Sequence, residues 1–170
     1  GRPFSIRSLA IQDPLVVNYT TQARHCTYAH GTFCLKGAAC VEPFHMLSMA
    51  AEELNETDAY DTIIIMNVLE HCIDAVMILS NIYRALRDGG ILLLAEEFKK
   101  DVDRNEGELC LYELAHPLNF ARQFYDNYLG AFRPLHYAVR GMTIAAAGRK
   151  EQGWLEQQIR ARNQLAKTTA

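Results

Sequence analysis

The sequence predicts an α/β domain built around a parallel sheet, and three observations carry that prediction. Tyr60–Met66 is a continuous apolar run with three consecutive isoleucines, the composition of a strand covered on both faces. Asp74–Arg87 places Ile78, Leu79, Ile82, Tyr83 and Leu86 at helical spacing, with Asn81, Arg84 and Arg87 on the other side. Ile91–Glu96 is a second apolar run directly after Gly89-Gly90. Strand, helix and strand in such short succession make a βαβ unit, whose crossover is right-handed.

The remaining elements follow in chain order. Ser5–Gln12 reads as a short apolar strand that stops at Asp13-Pro14, because proline disfavours helical geometry at the residue before it. Leu15 to Arg24 is compatible with a helix, and His25 to Pro43 reads as irregular. Phe44–Met49 is a candidate strand, followed by the small and acidic Ala50-Ala51-Glu52-Glu53. In the βαβ unit, Asp74 is placed to cap the helix start and Gly89-Gly90 to stop it. After Phe98 comes a charged loop, Lys99–Glu108, then a helix over Asn119–Leu129 with Phe120, Phe124 and Tyr128 one turn apart as its core face. Pro134–Arg140 and Met142–Ala147 are expected to form an antiparallel hairpin around Gly141, and Trp154–Lys167 a polar tail of helical character.

Composition narrows the function classes. The net charge of -3, without a long basic run, gives no electrostatic reason to expect nucleic acid. No stretch approaches the roughly 20 apolar residues of a membrane helix, so no membrane partner is expected. The five cysteines (Cys26, Cys34, Cys40, Cys72 and Cys110) show no framework spacing and no secretion signal precedes them, which predicts reduced thiols in the cytoplasm. His25, Cys26, His30, Cys34, Cys40 and His45 crowd one stretch, yet without the paired spacing of a zinc site, so no metal is expected.

Tyr60-Asp61-Thr62-Ile63-Ile64-Ile65-Met66-Asn67-Val68-Leu69-Glu70-His71 resembles the fourth-strand motif of the class I S-adenosylmethionine-dependent methyltransferases. Ile82-Tyr83-Arg84-Ala85-Leu86-Arg87-Asp88-Gly89-Gly90 followed by Ile91-Leu92-Leu93-Leu94 resembles the helix, glycine turn and fifth strand that come next in that family. Upstream, Ala10-Ile11-Gln12-Asp13-Pro14-Leu15 resembles the end of strand two, and Ser48–Leu54 the segment after strand three. Ala115–Leu118 and Ala147–Lys150 are similar to pieces near strands six and seven. The resemblance runs from Ser5 to Lys150 and is densest from Met49 to Glu96.

What it implies is a Rossmann-like methyltransferase sheet with helices on both faces and an antiparallel C-terminal hairpin. Residues 1–150 would form a partial methyltransferase domain and residues 151–170 a polar tail. The family's first strand and its glycine-rich turn are lacking: the chain contains no Gly-x-Gly. In the family's sheet that strand lies between strands two and four, so the expectation is a fragment of a longer gene product whose missing part belongs before Gly1. The implied cofactor is S-adenosylmethionine and the implied partner a small-molecule methyl acceptor.

The implied cofactor-binding residues are Asp13, Pro14, Met49, Ala50, Ala51, Asn67, Val68 and His71. In the family an acidic residue at the end of strand two takes both ribose hydroxyls, a bidentate role that suits Asp13; an Asp-Pro turn is the competing explanation. Ala50 and Ala51 offer small side chains beside a flat base. Asn67 and Val68 stand where the family's chain passes the methionine part. An imidazole titrates near neutral pH, so His71 and His116 are the candidate bases, although methyl transfer to an activated nucleophile needs none and the catalytic role stays unassigned. Two other readings stand beside this one. A non-catalytic binding or interaction module would explain the absent glycine turn. A nicotinamide-dependent oxidoreductase would share the fold, but Asn-Val-Leu-Glu-His after the fourth strand speaks against it.

Overall fold

The structure is a computed structural model that describes residues 6–16, 18, 33–34, 40–41, 44–98 and 118–160. The chain divides into two compact units, Gly1–Glu53 and Leu54–Ala170.

In the first unit, β1 (Leu9–Gln12) pairs in parallel with β4 (Phe44–Leu47), with Leu9 opposite Phe44 and Gln12 opposite Leu47. The expected strand at Ser5–Gln12 is thus present in its second half, and it ends where Asp13-Pro14 removes the next ladder donor. Two-residue strands β2 (Phe33–Cys34) and β3 (Cys40–Val41) make a small antiparallel pair within the stretch that reads as irregular. Val16 and Asn18 are helical; the rest of the helix expected over 15–24 lies outside the described residues, as do His25, Cys26 and His30.

The second unit holds a four-stranded sheet in the order β5-β6-β8-β7, from β5 (Tyr60–Met66), β6 (Leu86–Glu97), β7 (Arg133–Arg140) and β8 (Thr143–Arg149). β5 and β6 are parallel, and the helix α1 (Ala75–Ala85) connects them, as the βαβ reading requires. Asp74 caps α1 as expected, its Oδ1 accepting the Met77 amide at 2.9 Å. The helix ends two residues earlier than the periodicity suggests. Leu86 is already extended and opposite Tyr60, and the ladder resumes only at Ile91 opposite Thr62, with Gly89 at φ +77° in the irregular stretch between. Lys150 holds this corner: its Nζ donates to Leu86 O at 2.6 Å, pairs with Asp58 at 3.1 Å and lies over the Tyr83 ring.

β7 and β8 form the expected hairpin, turning at Gly141, whose φ of +60° favours glycine. The core follows the alternation of strand residues. Ile65, Leu92, Leu94, Ile144 and Ala146 are buried together with Ile78, Leu79 and Ile82 of α1. The expected covering of β5 on both faces is not met at every residue: Ile65 is 5% exposed, but Ile64 is 58% and Met66 56%. β5 is the outer strand of this four-stranded sheet.

The helix α2 (Arg122–Leu129) starts three residues later than expected. Its deepest side chain is Tyr125, fully buried with its hydroxyl donating to Glu97 O at 2.9 Å. Phe120, Phe124 and Tyr128, the expected core face, are half-buried. They form an aromatic cluster in which Phe120 stacks on Phe124 at 4.4 Å and Tyr128 meets Phe132 edge-on. Residues 154–160 are helical, and 161–170 lie outside the described residues.

Candidate functional site

The candidate residues fall into two groups, one in each unit, and each group sits at the carboxyl end of a parallel strand pair. That is where ligands of open α/β sheets bind, because the strands end there and the loops diverge.

In the first unit, β1 and β4 end side by side. The Asp13 amide donates to Leu47 O at 3.1 Å and the Ser48 hydroxyl to Pro14 O at 3.3 Å, while Gln12 Nε2 donates to Ala50 O. These bonds bring the Asp13-Pro14 step and the Ser48–Ala50 segment together. Ala51 opens a single 3₁₀ turn, Ala51–Glu53. The Glu53 carboxylate reaches back to accept the Ala50 amide at 2.7 Å and so closes this turn. Met49, Ala50 and Ala51 are half-buried. Asp13 Oδ1 accepts the Leu15 amide at 2.7 Å, an Asx turn of the kind expected at an Asp-Pro step.

In the second unit, β5 runs into Asn67, which adopts φ +53°. Asparagine tolerates this left-handed geometry better than other branched or bulky residues, because its short amide bonds locally. The turn redirects the chain: the Asn67 amide still donates to Ala95 O at 2.9 Å, and a 3₁₀ turn over Leu69–His71 follows. Leu69 is fully buried and pins the loop to the core. His71 is about half exposed and its Nε2 lies 3.7 Å from Glu70 Oε1. His116 lies outside the described residues; the Leu118 amide two positions on donates to Glu70 O at 3.4 Å.

One residue at this end of the sheet was not singled out by the sequence. Glu96, 1% exposed, sits on the inward face of β6, where alternation calls for an apolar side chain. Its carboxylate accepts the Val68 amide at 3.1 Å (Oε1) and the Leu69 amide at 3.3 Å (Oε2). Burial pushes its pKa up to about 7, against the lowering effect of those two amides; Glu70 adds to the rise and His71 opposes it. The available signal was its register, since Leu92, Leu94 and Phe98 on the same face are all buried.

Among the described residues no group of histidine, cysteine, aspartate and glutamate is arranged to hold a metal ion, and no helix is long and apolar enough to cross a membrane.

Comparison with known proteins adds to this geometry. Residues 18–94 match the family described as methyltransferase domain. No curated protein matches the chain in sequence. Many solved structures share its fold. One is a Bacillus halodurans C-125 protein assigned to the methyltransferases, with TM-score 0.57 and 11% identity over 89% of this chain and 95% of its own. A second is the arsenic(III) S-adenosylmethionine methyltransferase of Chlamydomonas reinhardtii, with TM-score 0.57 and 18% identity over 86% of this chain and 56% of that one. A third is an O-methyltransferase family 2 protein of Planctomyces limnophilus in complex with apigenin, with TM-score 0.53 and 14% identity over 83% and 42%. The chain spans about half the length of several structures it matches. The match over residues 18–94, together with the β5-α1-β6 unit and the sheet it anchors, shows that this chain resembles methyltransferase domains and shares their Rossmann-like fold.

Proposed function

We propose that the chain takes part in methyl transfer from S-adenosylmethionine to a small-molecule acceptor. The observation that carries this reading is the placement of Asp13, Met49–Ala51 and Asn67–His71 at the carboxyl ends of two parallel strand pairs. The residues suit the cofactor. In the first unit, the Asp13 carboxylate suits the hydroxyl donors of a ribose and the small Ala50 and Ala51 suit a flat base. In the second unit, Asn67-Val68 is the segment that resembles the family's chain beside the methionine part. When bound, S-adenosylmethionine supplies an electrophilic methyl group on a sulfonium.

The work left to the protein is to hold donor and acceptor in line and to keep water away from them, which lowers the barrier through orientation. For an acceptor that arrives protonated, the half-exposed His71 is the candidate base in the described residues. A small acceptor is in keeping with the arsenic(III) methyltransferase and the apigenin complex that share the fold.

The test is a calorimetric titration of the natural full-length protein with S-adenosylmethionine. The expected result is saturable binding that weakens by about tenfold in Asp13→Ala, the loss of a hydrogen bond to a charged group. No detectable binding would favour the second reading, a non-catalytic module, which draws its support from the absence of Gly-x-Gly in this chain.

A further inference from the structure

The loop Asn67–His71 is held from below by a single side chain. Glu96 lies on the face of β6 directed at the core, and both of its carboxylate oxygens are aimed at consecutive amides of that loop, Val68 N at 3.1 and 3.3 Å and Leu69 N at 3.3 Å. The start of a 3₁₀ turn leaves these amides without a partner of their own. An apolar residue at position 96 would leave both unsatisfied in a buried setting. A carboxylate is costly there, so its presence in a row with Leu92, Leu94 and Phe98 calls for a reason beyond packing.

We propose that Glu96 is a positioning residue, a carboxylate clamp that sets the Val68-Leu69 backbone and with it the disposition of Asn67 and His71. The benefit to cofactor binding rests on the function proposed above; the clamp itself does not. The groups that face Glu96 are Glu70 and His71 from the turn, and Tyr125 from α2. Cys72, at the end of the turn, directs its Sγ to Leu69 O at 3.0 Å. Glu70 is 7% exposed and repels the ionised clamp, while His71 draws on it. The clamp is tight when Glu96 is ionised, because charged acceptors make shorter and stronger bonds to amides. It slackens when Glu96 takes up a proton, and burial places that event at about pH 7.

The experiment follows amide hydrogen exchange at Val68 and Leu69 between pH 6 and pH 8.5, corrected for intrinsic rates, in the wild type, E96Q and E96D. The Asn67 amide, bonded to Ala95 O, serves as internal reference. The expected result is that protection of Val68 and Leu69 rises about tenfold through neutral pH in the wild type. E96Q should lose the step while Asn67 stays protected, and E96D should keep part of it. Protection that is independent of pH in the wild type, or unchanged in E96Q, overturns the clamp. A parallel titration with S-adenosylmethionine at pH 8 separates the two claims. Affinity about tenfold weaker in E96Q supports positioning, and equal affinity in both proteins overturns it. If no variant binds the cofactor while the exchange step persists, the functional reading fails and the clamp stands.

Discussion

Asn67 and Glu96 show how a loop is defined by two residues that work against their surroundings. Asn67 stores backbone strain at φ +53°, in a region most side chains avoid. Asn67→Val should therefore cost about 1–2 kcal/mol in urea unfolding, whereas Asn67→Gly should cost little. Glu96 stores electrostatic strain. Its folded pKa of about 7 stands above the ordinary 4.5 of a glutamate. The folded protein keeps the proton to higher pH than the unfolded chain does. The stabilising contribution is thus complete below about pH 4.5 and is lost as pH rises to about 7. The decline amounts to roughly 3 kcal/mol at most, by the linkage between pKa and stability. Glu96→Gln has no such proton to hold, and its urea stability between pH 5 and 8 should be flatter than that of the wild type. A wild-type curve that rises over this interval while the mutant's stays level would contradict the assignment.

At the scale of elements, the parts that were legible in the sequence are those whose pattern and partners are local. The run Thr62–Met66, the periodicity of α1 and the cap at Asp74 all survive because each depends on neighbours a few residues away. Asp74→Ala should cost about 1 kcal/mol, the usual worth of a lost N-cap, measured by thermal unfolding. Where partners come from afar, the sequence is silent. Periodicity carries α1 through Arg87, yet Leu86 is withdrawn into the sheet by Tyr60 and by the Lys150 side chain, which no local window reveals. The stripe Phe120, Phe124, Tyr128 marks α2, but Tyr125 is the buried one because the Glu97 carbonyl lies within reach of its hydroxyl. The candidate residues Asp13, Met49–Ala51 and Asn67–His71 were legible through motif resemblance, while Glu96 was hidden in an apolar run. The β8 strand shows the same dependence on distant partners. A methyl group at Gly148 would stand 2.6 Å from Cβ of Phe132, and Phe132 is 1% exposed and cannot retreat. Gly148→Ala should destabilise the protein by about 1–3 kcal/mol, as overpacked cores do.

At the scale of the whole molecule, the division into two units sets how stability is distributed. The β1–β4 pair has four residues per strand and two strands, a size that is marginal in water, whereas the described residues of the second unit hold a four-stranded sheet with α1, α2 and the helical residues 154–160. Amides of Leu9–Gln12 should accordingly exchange at lower free energy than those of Leu92–Leu94. Trp154, the one tryptophan of the chain, reports on the second unit. Ile11→Ala should speed exchange in β1 while leaving the urea midpoint followed by Trp154 fluorescence unchanged; a midpoint that shifts with it would mean the units unfold as one.

The exposed side of β5 has a further consequence, for handling the protein rather than for its chemistry. A strand with three isoleucines, lying outermost in its sheet among the described residues and showing Ile64 and Met66 to solvent, is a template on which other chains can add. Its only charged residue, Asp61, stands near the start of the strand and guards one end. Concentrated solutions should therefore self-associate through this edge, and a gatekeeping lysine introduced by Ile64→Lys should keep the protein dispersed.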